Sequence, residues 1–486
     1  MNLKVTIVKK YSGKDNLLFV FPDKDAALKS LKNTLDKEEK DFLIKQLADT
    51  KTGFVSINRL NRMLFIQIIQ KGKKPEYQVV EELRKTGNKI ITLSNEHKLE
   101  SIIIVGERIP KNYVLALTEG IALSSYQFLK YKSKASDAAH SLKTLQICSD
   151  VINQKQLQHL ILLTDAVYTC RDFVNEPVCN MNSVMFSKQV AALFKNTEAT
   201  VDILNKSKIE ALKMNGLLAV NKGSVDPPAF IIIEWKPLNH HNKKPYVFVG
   251  KGLMYDTGGI NVKTAAGMET MKCDMAGGAA VVSTLYAIAN AKMPFHVVGL
   301  VPVTDNRPAG NSLVPGDIIT YSDGTHVEVL NSDAEGRLIL ADGLIYAKRY
   351  KPQLVITLAT LTGSAHAAIG KYGIVGMKQK AQKDFREIQH AGDEVFERVV
   401  EFPFWDDYDE LIKSDTADIK NIGGPVAGAI TAGKFLAHFA QYPFIHLDIA
   451  GPAFNDKKDN YRGAGGSGVG VRLLYDFMER KLKIFL

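Results

Sequence analysis

The chain has 486 residues, 45% hydrophobic and 23% charged, which excludes a disordered or collagen-like polymer. At roughly 150 residues per domain, that length points to two or three folded domains. No apolar run approaches the roughly 18 to 20 residues needed to cross a bilayer. The opening MNLKVTIVKK alternates like a strand and lacks the apolar core of a secretory leader, so a cytoplasmic protein with no membrane association is expected. Residues 1–150 carry 26 Lys and Arg against 17 Asp and Glu, leaving 36 against 35 in the rest. The excess lysines are scattered among carboxylates and not interleaved with aromatics. A solvated basic face is therefore expected, with nucleic-acid binding as the less favoured alternative. Four cysteines without CxxC spacing fit a reducing compartment.

In chain order, apolar β-type runs at 4–8, 63–69, 89–93 and 101–105 alternate with helix-like stretches at 25–31 and 114–131. This predicts a smaller N-terminal α/β domain over residues 1–155. An amphipathic stretch follows, stopped by Glu176-Pro177, and reads as a linking helix at 156–177. Strands at 245–249, 296–301 and 353–358 then alternate with helices at 279–291 and 341–349. The expected fold class is α/β in two domains, with 156–486 the larger one, built on a mixed central sheet.

Two stock motifs nearly fit. Gly463 to Gly468 matches GxGxxG, but polar residues precede it where a strand is required, and the chain ends before an acidic ribose partner could occur. Gly428 to Lys434 has P-loop spacing, but Phe435 stands where a Ser or Thr would hold Mg²⁺; a helix packed through small residues is the better reading. HExxH and GxSxG are absent from the sequence.

The informative region is 247–337. A buried-type strand delivers Lys251 and Asp256 into the glycine-rich turn of VGKGLMYDTGG; Lys263 follows, and MKCDMAGG places Asp274 before a small-residue helix start. The third cluster, NSDAEGRL, holds Asp333, Glu335 and Arg337, which would share one face if the segment were extended. Four carboxylates, Asp256, Asp274, Asp333 and Glu335, repel one another in a dry pocket unless cations neutralise them. Two divalent ions sharing bridging carboxylates would do so, in the arrangement used for hydrolysis. Another binuclear metallohydrolase, such as a phosphoesterase, stays open at this level.

VGKGLMYDTGG, MKCDMAGGAA and NSDAEGRLILADGL together resemble the leucyl aminopeptidase family of two-metal exopeptidases, and the likeness runs over roughly residues 165 to 475, including RDFVNEP, ADIKNIGG and HLDIAG. The resemblance implies Lys251, Asp256, Asp274, Asp333 and Glu335 as metal ligands, Asp256 and Glu335 bridging two ions, Zn²⁺ or Mn²⁺, and the Asp333 carbonyl also coordinating. A lysine ligand must be neutral, so burial and two neighbouring cations would have to lower its pKa. The resemblance further implies Lys263 over the developing oxyanion and Arg337 holding a bicarbonate that relays protons. A salt bridge from Arg337 to Glu335 is the alternative role for that residue. Met271, Thr360, Gly363 and Ala450 would line a pocket for leucine-like side chains, although Met271 and Ala450 could equally be ordinary core. Peptides with a free N-terminus would be the substrates and a homohexamer the assembly. Some members of the family also bind DNA, which the basic first 150 residues leave open. Departures such as Thr257, Thr264 and Pro425 remove none of the ligand or catalytic positions.

Overall fold

The computed structural model describes residues 3–49, 53–106 and 109–485, which divide into two compact units. The first unit runs to Tyr168 and also takes in Lys458–Gly463; the second comprises Thr169–Lys457 and Ala464–Leu486.

The first unit contains strands β1 (Lys4–Ile7), β2 (Leu17–Phe21), β3 (Phe54–Asn58), β4 (Met63–Ile68), β5 (Ser101–Val105) and β6 (Thr144–Cys148). They form one sheet in the order β1-β6-β5-β2-β4-β3, parallel except for β3. Strand β2, LLFVF, is apolar throughout because both sheet faces are covered: Leu17, Phe19 and Phe21 join one core, Leu18 and Val20 the other. The run at 89–93, expected as a strand, lies inside the helix Glu76–Glu96. Its β-branched isoleucines complete a helical stripe with Val79, Val80, Leu83, Ile90 and Ile91 buried, so the 3.6-residue period outweighs local β propensity. The helix expected at 114–131 spans Lys111–Ser124.

The linking helix spans Gln154–Asn175, and the division between units falls within it, not at 155. Leu157 packs in the first unit's core and the Tyr168 hydroxyl donates to the Ala122 carbonyl, which ties the first part of the helix to that unit. The 458–463 segment belongs there for a similar reason: Tyr461 Oη and Arg462 Nη2 donate to the buried Glu81 carboxylate at 2.8 and 3.1 Å.

The second unit contains β7 (Thr200–Leu204), β8 (Ala229–Trp235), β9 (Tyr246–Gly250), β10 (Gly252–Asp256), β11 (Val297–Asn306), β12 (Ile318–Thr320), β13 (His326–Glu328), β14 (Leu354–Ala359), β15 (Ile374–Gln379), β16 (Val399–Glu401), β17 (Ile419–Lys420), β18 (Phe444–Asp448), β19 (Phe454–Asn455) and β20 (Gly465–Gly466). The main sheet has the order β16-β15-β18-β14-β9-β11-β8-β7, with β10 added alongside β11. Strands β18, β14, β9 and β11 are mutually parallel, while β8 runs against β11 and β7, and β15 runs against β18, so the sheet is mixed. The helices Ala276–Asn290 and Glu335–Ala347 pack on it and are buried over most of their length. The P-loop-like segment lies in the buried helix Gly428–Phe439, where Lys434 pairs with Asp409 at 2.9 Å.

Candidate active site

Open sheets with parallel strands place ligand-binding residues at the carboxyl ends of those strands. The four parallel strands here do so: Lys251 follows β9, Asn306 ends β11, Thr360 follows β14, and Asp448 ends β18. Strand β10 adds Asp256 at its own end. The turn after it needs glycine, since Gly258 and Gly259 have φ of +88° and +68°. Thr257 Oγ1 donates to the Asn306 carbonyl at 2.8 Å, and Lys263 N closes the turn on the Thr257 carbonyl at 2.9 Å. Ser332 staples this turn to the third motif, donating through Oγ to the Gly258 carbonyl at 2.7 Å and accepting there from Asn261 N at 2.9 Å.

The third motif is not extended. Asn331 Oδ1 accepts from Asp333 N at 2.8 Å and turns the chain, and Glu335 opens the helix Glu335–Ala347. Asp333, Glu335 and Arg337 nevertheless all reach one cavity, because a helix start and the turn before it point into the same space.

Carboxylate oxygens of Asp256, Asp333 and Glu335 lie within 4.8 Å of one another. Lys251 Nζ stands 2.8 Å from Asp274 Oδ2 and 2.9 Å from Glu335 Oε1. Lys263 Nζ is 2.7 Å from Asp256 Oδ2 and also pairs with Asp333. Lys251, Asp256, Asp274 and Glu335 are all buried, and Asp333 is partly buried. Four acids thus face two ammonium groups, with three of the acids and Lys251 buried. Burial, reinforced by Asp256 and Glu335, pushes the Asp274 carboxyl up to about 8 against the pull of Lys251. Burial likewise raises Asp256. For Lys251, burial acts downward as expected, but Asp274, Glu335 and Asp256 outweigh it and hold the amine above its ordinary value. Lys263 is also held high: burial lowers it, and Asp256 and Glu335 more than compensate.

This donor set fits divalent cations. It is rich in carboxylate oxygens, it carries more negative than positive charge, and Glu335 Oε2 is buried with no hydrogen-bond partner. Either Zn²⁺ or Mn²⁺ accepts carboxylate donors, and the charge of a bound ion would oppose the proton that the surrounding carboxylates hold on Lys251, which its amine must lose before it can coordinate.

Arg337 is buried, and Nη1 donates to the Asn421 carbonyl at 2.6 Å. Burial lowers its pKa to about 10. Among the described residues it forms no salt bridge to Glu335, and its Nε has no partner, so the guanidinium keeps donor capacity at the cavity wall.

The cavity measures about 430 Å³ and is lined by the five acid and lysine residues, Lys263, Arg337, and also Met271, Thr360, Gly363 and Ala450. Met271 and Ala450 are only partly buried, which sets them on a wall and not in the core. Thr360 has a second role, donating through Oγ1 to Asp274 Oδ1 at 2.8 Å.

Sequence reasoning passed over three further contributors. Asn306 Nδ2 donates to Asp256 Oδ1 at 2.9 Å and to the Ser332 carbonyl at 3.1 Å. Ser332 holds the turn described above. Asn421 accepts from Leu330 N at 2.8 Å and donates to the Asn331 carbonyl at 2.7 Å. Only Asn306 had a usable signal, a polar pair closing the long apolar strand VVGLVPVTDN.

The catalytic-domain model described as the cytosol aminopeptidase family matches residues 168–475. A probable cytosol aminopeptidase of Chloroherpeton thalassium is 46% identical over 336 residues, 68% of this chain and 65% of that protein. One of Clostridium perfringens is 38% identical over 415 residues, 84% of this chain and 82% of that one. Among solved structures, a tomato leucine aminopeptidase mutant superposes with a TM-score of 0.86 at 25% identity, covering 98% of this chain and 96% of the other. With the carboxylate and lysine cluster lying inside the matched region, the chain belongs to the cytosol aminopeptidase family and is a hydrolase of the aminopeptidase class.

Proposed function

We propose that this protein is a metal-dependent exopeptidase that releases leucine or similar apolar residues from the N-terminus of peptides, using two divalent ions. The observation that carries this reading is the cluster of Lys251, Asp256, Asp274, Asp333 and Glu335, all but Asp333 buried, that lines one cavity at the carboxyl ends of the parallel strands. These five residues would hold Zn²⁺ or Mn²⁺. Ions bound there would polarise the scissile carbonyl and acidify a water molecule.

The chain's own residues then have separable tasks. Lys263 keeps its proton because its surrounding carboxylates outweigh burial, so it presents a fixed positive charge to an oxygen that becomes negative in the transition state. Arg337, with unpaired donor capacity at the wall, suits a small planar anion such as bicarbonate that could pass a proton. Met271, Thr360, Gly363 and Ala450 would receive the first side chain. A substrate's free α-amine, in its neutral form, could bind one of the two ions, which would account for action at chain ends. A homohexamer is the assembly that accompanies this reading, and the mass in solution tests it.

The test is hydrolysis of leucine p-nitroanilide by purified protein, after chelation and again after adding Zn²⁺ or Mn²⁺, with Asp333→Ala alongside. Activity should vanish on chelation, return with metal and be absent from the variant. N-acetylated leucine p-nitroanilide should resist. Inactivity of verified metal-loaded protein on a panel of free N-terminal peptides would sink the reading.

A further inference from the structure

Beyond the metal-holding cluster, the cavity keeps one carboxylate that the proposed chemistry does not use. Asp456 lines the cavity directly after β19. That strand is held antiparallel to β20, with Phe454 opposite Gly466 and Asn455 opposite Gly465. Phe454 in the strand and Asp456 in the bend that follows it both line the cavity, while Asn455 between them is buried.

The surrounding charges leave Asp456 available. Lys251 is engaged by Asp274 and Glu335, Lys263 by Asp256 and Asp333, and Arg337 donates to the Asn421 carbonyl. Asp456 itself is exposed and forms no ion pair or hydrogen bond among the described residues. The apolar wall formed by Met271, Leu361, Ala450 and Phe454 could cover a methylene stem, and the cavity volume of about 430 Å³ is in the range that encloses whole small ligands.

Resting on the aminopeptidase reading, we propose that Asp456 is a specificity-determining residue that lets the side-chain pocket accept a long basic first residue, arginine or lysine, as well as apolar ones. The stem of such a residue lies along the apolar wall and its cation meets the Asp456 carboxylate. A neutral residue of the same length gains only the wall contact.

The experiment compares arginine, lysine and norleucine p-nitroanilides on metal-loaded wild type and on Asp456→Asn. The ratio of kcat/KM for arginine to that for norleucine should fall about fivefold in Asp456→Asn, the size expected of a partly solvated ion pair. Asp456→Lys should lower it further. Calorimetric binding of free arginine and free norleucine should show the same change in ratio without turnover. An unchanged ratio in both measurements, with norleucine still hydrolysed, overturns the role of Asp456 and leaves the aminopeptidase reading standing. Failure of metal-loaded wild type on every substrate overturns both.

Discussion

Gly336 packs directly against the side chain of Lys251: a methyl group on Gly336 would stand 2.5 Å from Lys251 Cε and 2.6 Å from Nζ. The lysine is pinned from its other sides. Its N–H donates to the Leu358 carbonyl at 3.0 Å, its carbonyl accepts from Gly278 N at 2.7 Å, and Nζ reaches the Thr360 carbonyl at 3.2 Å. The amine can therefore yield only by leaving Asp274 or Glu335. Gly336→Ala should keep the fold, since alanine favours a helix, yet cut kcat/KM on leucine p-nitroanilide by on the order of 100-fold. Circular dichroism alongside the assay separates the two effects. Activity within about threefold of wild type would show that Lys251 placement is not limiting.

Asn306 orients Asp256, one of the proposed metal ligands, through a single amide hydrogen bond, and groups that orient metal ligands typically matter about 10- to 100-fold in affinity. Asn306→Ala should weaken metal binding by that order in a chelator-buffered titration. Asn306→Asp should be worse, because it sets a carboxylate against Asp256. Equal affinity for wild type and both variants would contradict this role.

His446 is wholly buried in β18, with Nδ1 2.8 Å from Thr357 Oγ1 and Nε2 unpartnered. Burial, with Arg337 adding to it, lowers its pKa from 6.5 to about 3. Below pH 6.5 the unfolded chain binds a proton there that the folded chain refuses until about pH 3, so this residue's contribution to stability falls as pH drops through that window. The slope is on the order of 1.4 kcal/mol per pH unit. His446→Gln should flatten the acid side of the stability curve by that amount, read from urea midpoints between pH 6.5 and 4.5. Parallel curves for the two proteins would refute the assignment.

In the first unit, the helices Glu76–Glu96 and Lys111–Ser124 meet at two glycines, where a methyl on Gly87 would lie 2.3 Å from the Gly120 carbonyl carbon and one on Gly120 would lie 2.2 Å from the Arg84 carbonyl oxygen. Both obstacles are backbone, so neither can turn aside. Gly120→Ala should destabilise this unit by roughly 1–3 kcal/mol despite alanine's better helix propensity. A midpoint equal to or above wild type in chemical denaturation would show that the helices can separate at no cost.

Much of the site was legible because its chemistry sits in short glycine-flanked segments. Lys251 with Asp256, Asp274, and Asp333 with Glu335 each announce themselves within a few residues, and all five reach one cavity. Elsewhere local pattern and packing disagree. Residues 89–93 have β-branched side chains but complete a helical stripe, and the 331–337 segment turns at Asn331 into a helix. The unit boundary moved from 155 into the helix Gln154–Asn175, because a continuous helix carries no compositional sign of where its packing partners change.

The sequence by itself determined the α/β alternation, the identity of the charged residues and the glycines that let the chain turn beside them, since these depend on chemistry acting over a few neighbouring residues. Tertiary structure alone decided the partners: Asn306 for Asp256, 50 residues away; Asn421 for Arg337, 84 away; and Thr360 for Asp274, 86 away. Sheet pairing sets those distances, because the parallel alignment of β9, β11, β14 and β18 brings distant strand ends to one edge, and the order of strands cannot be inferred from any one of them.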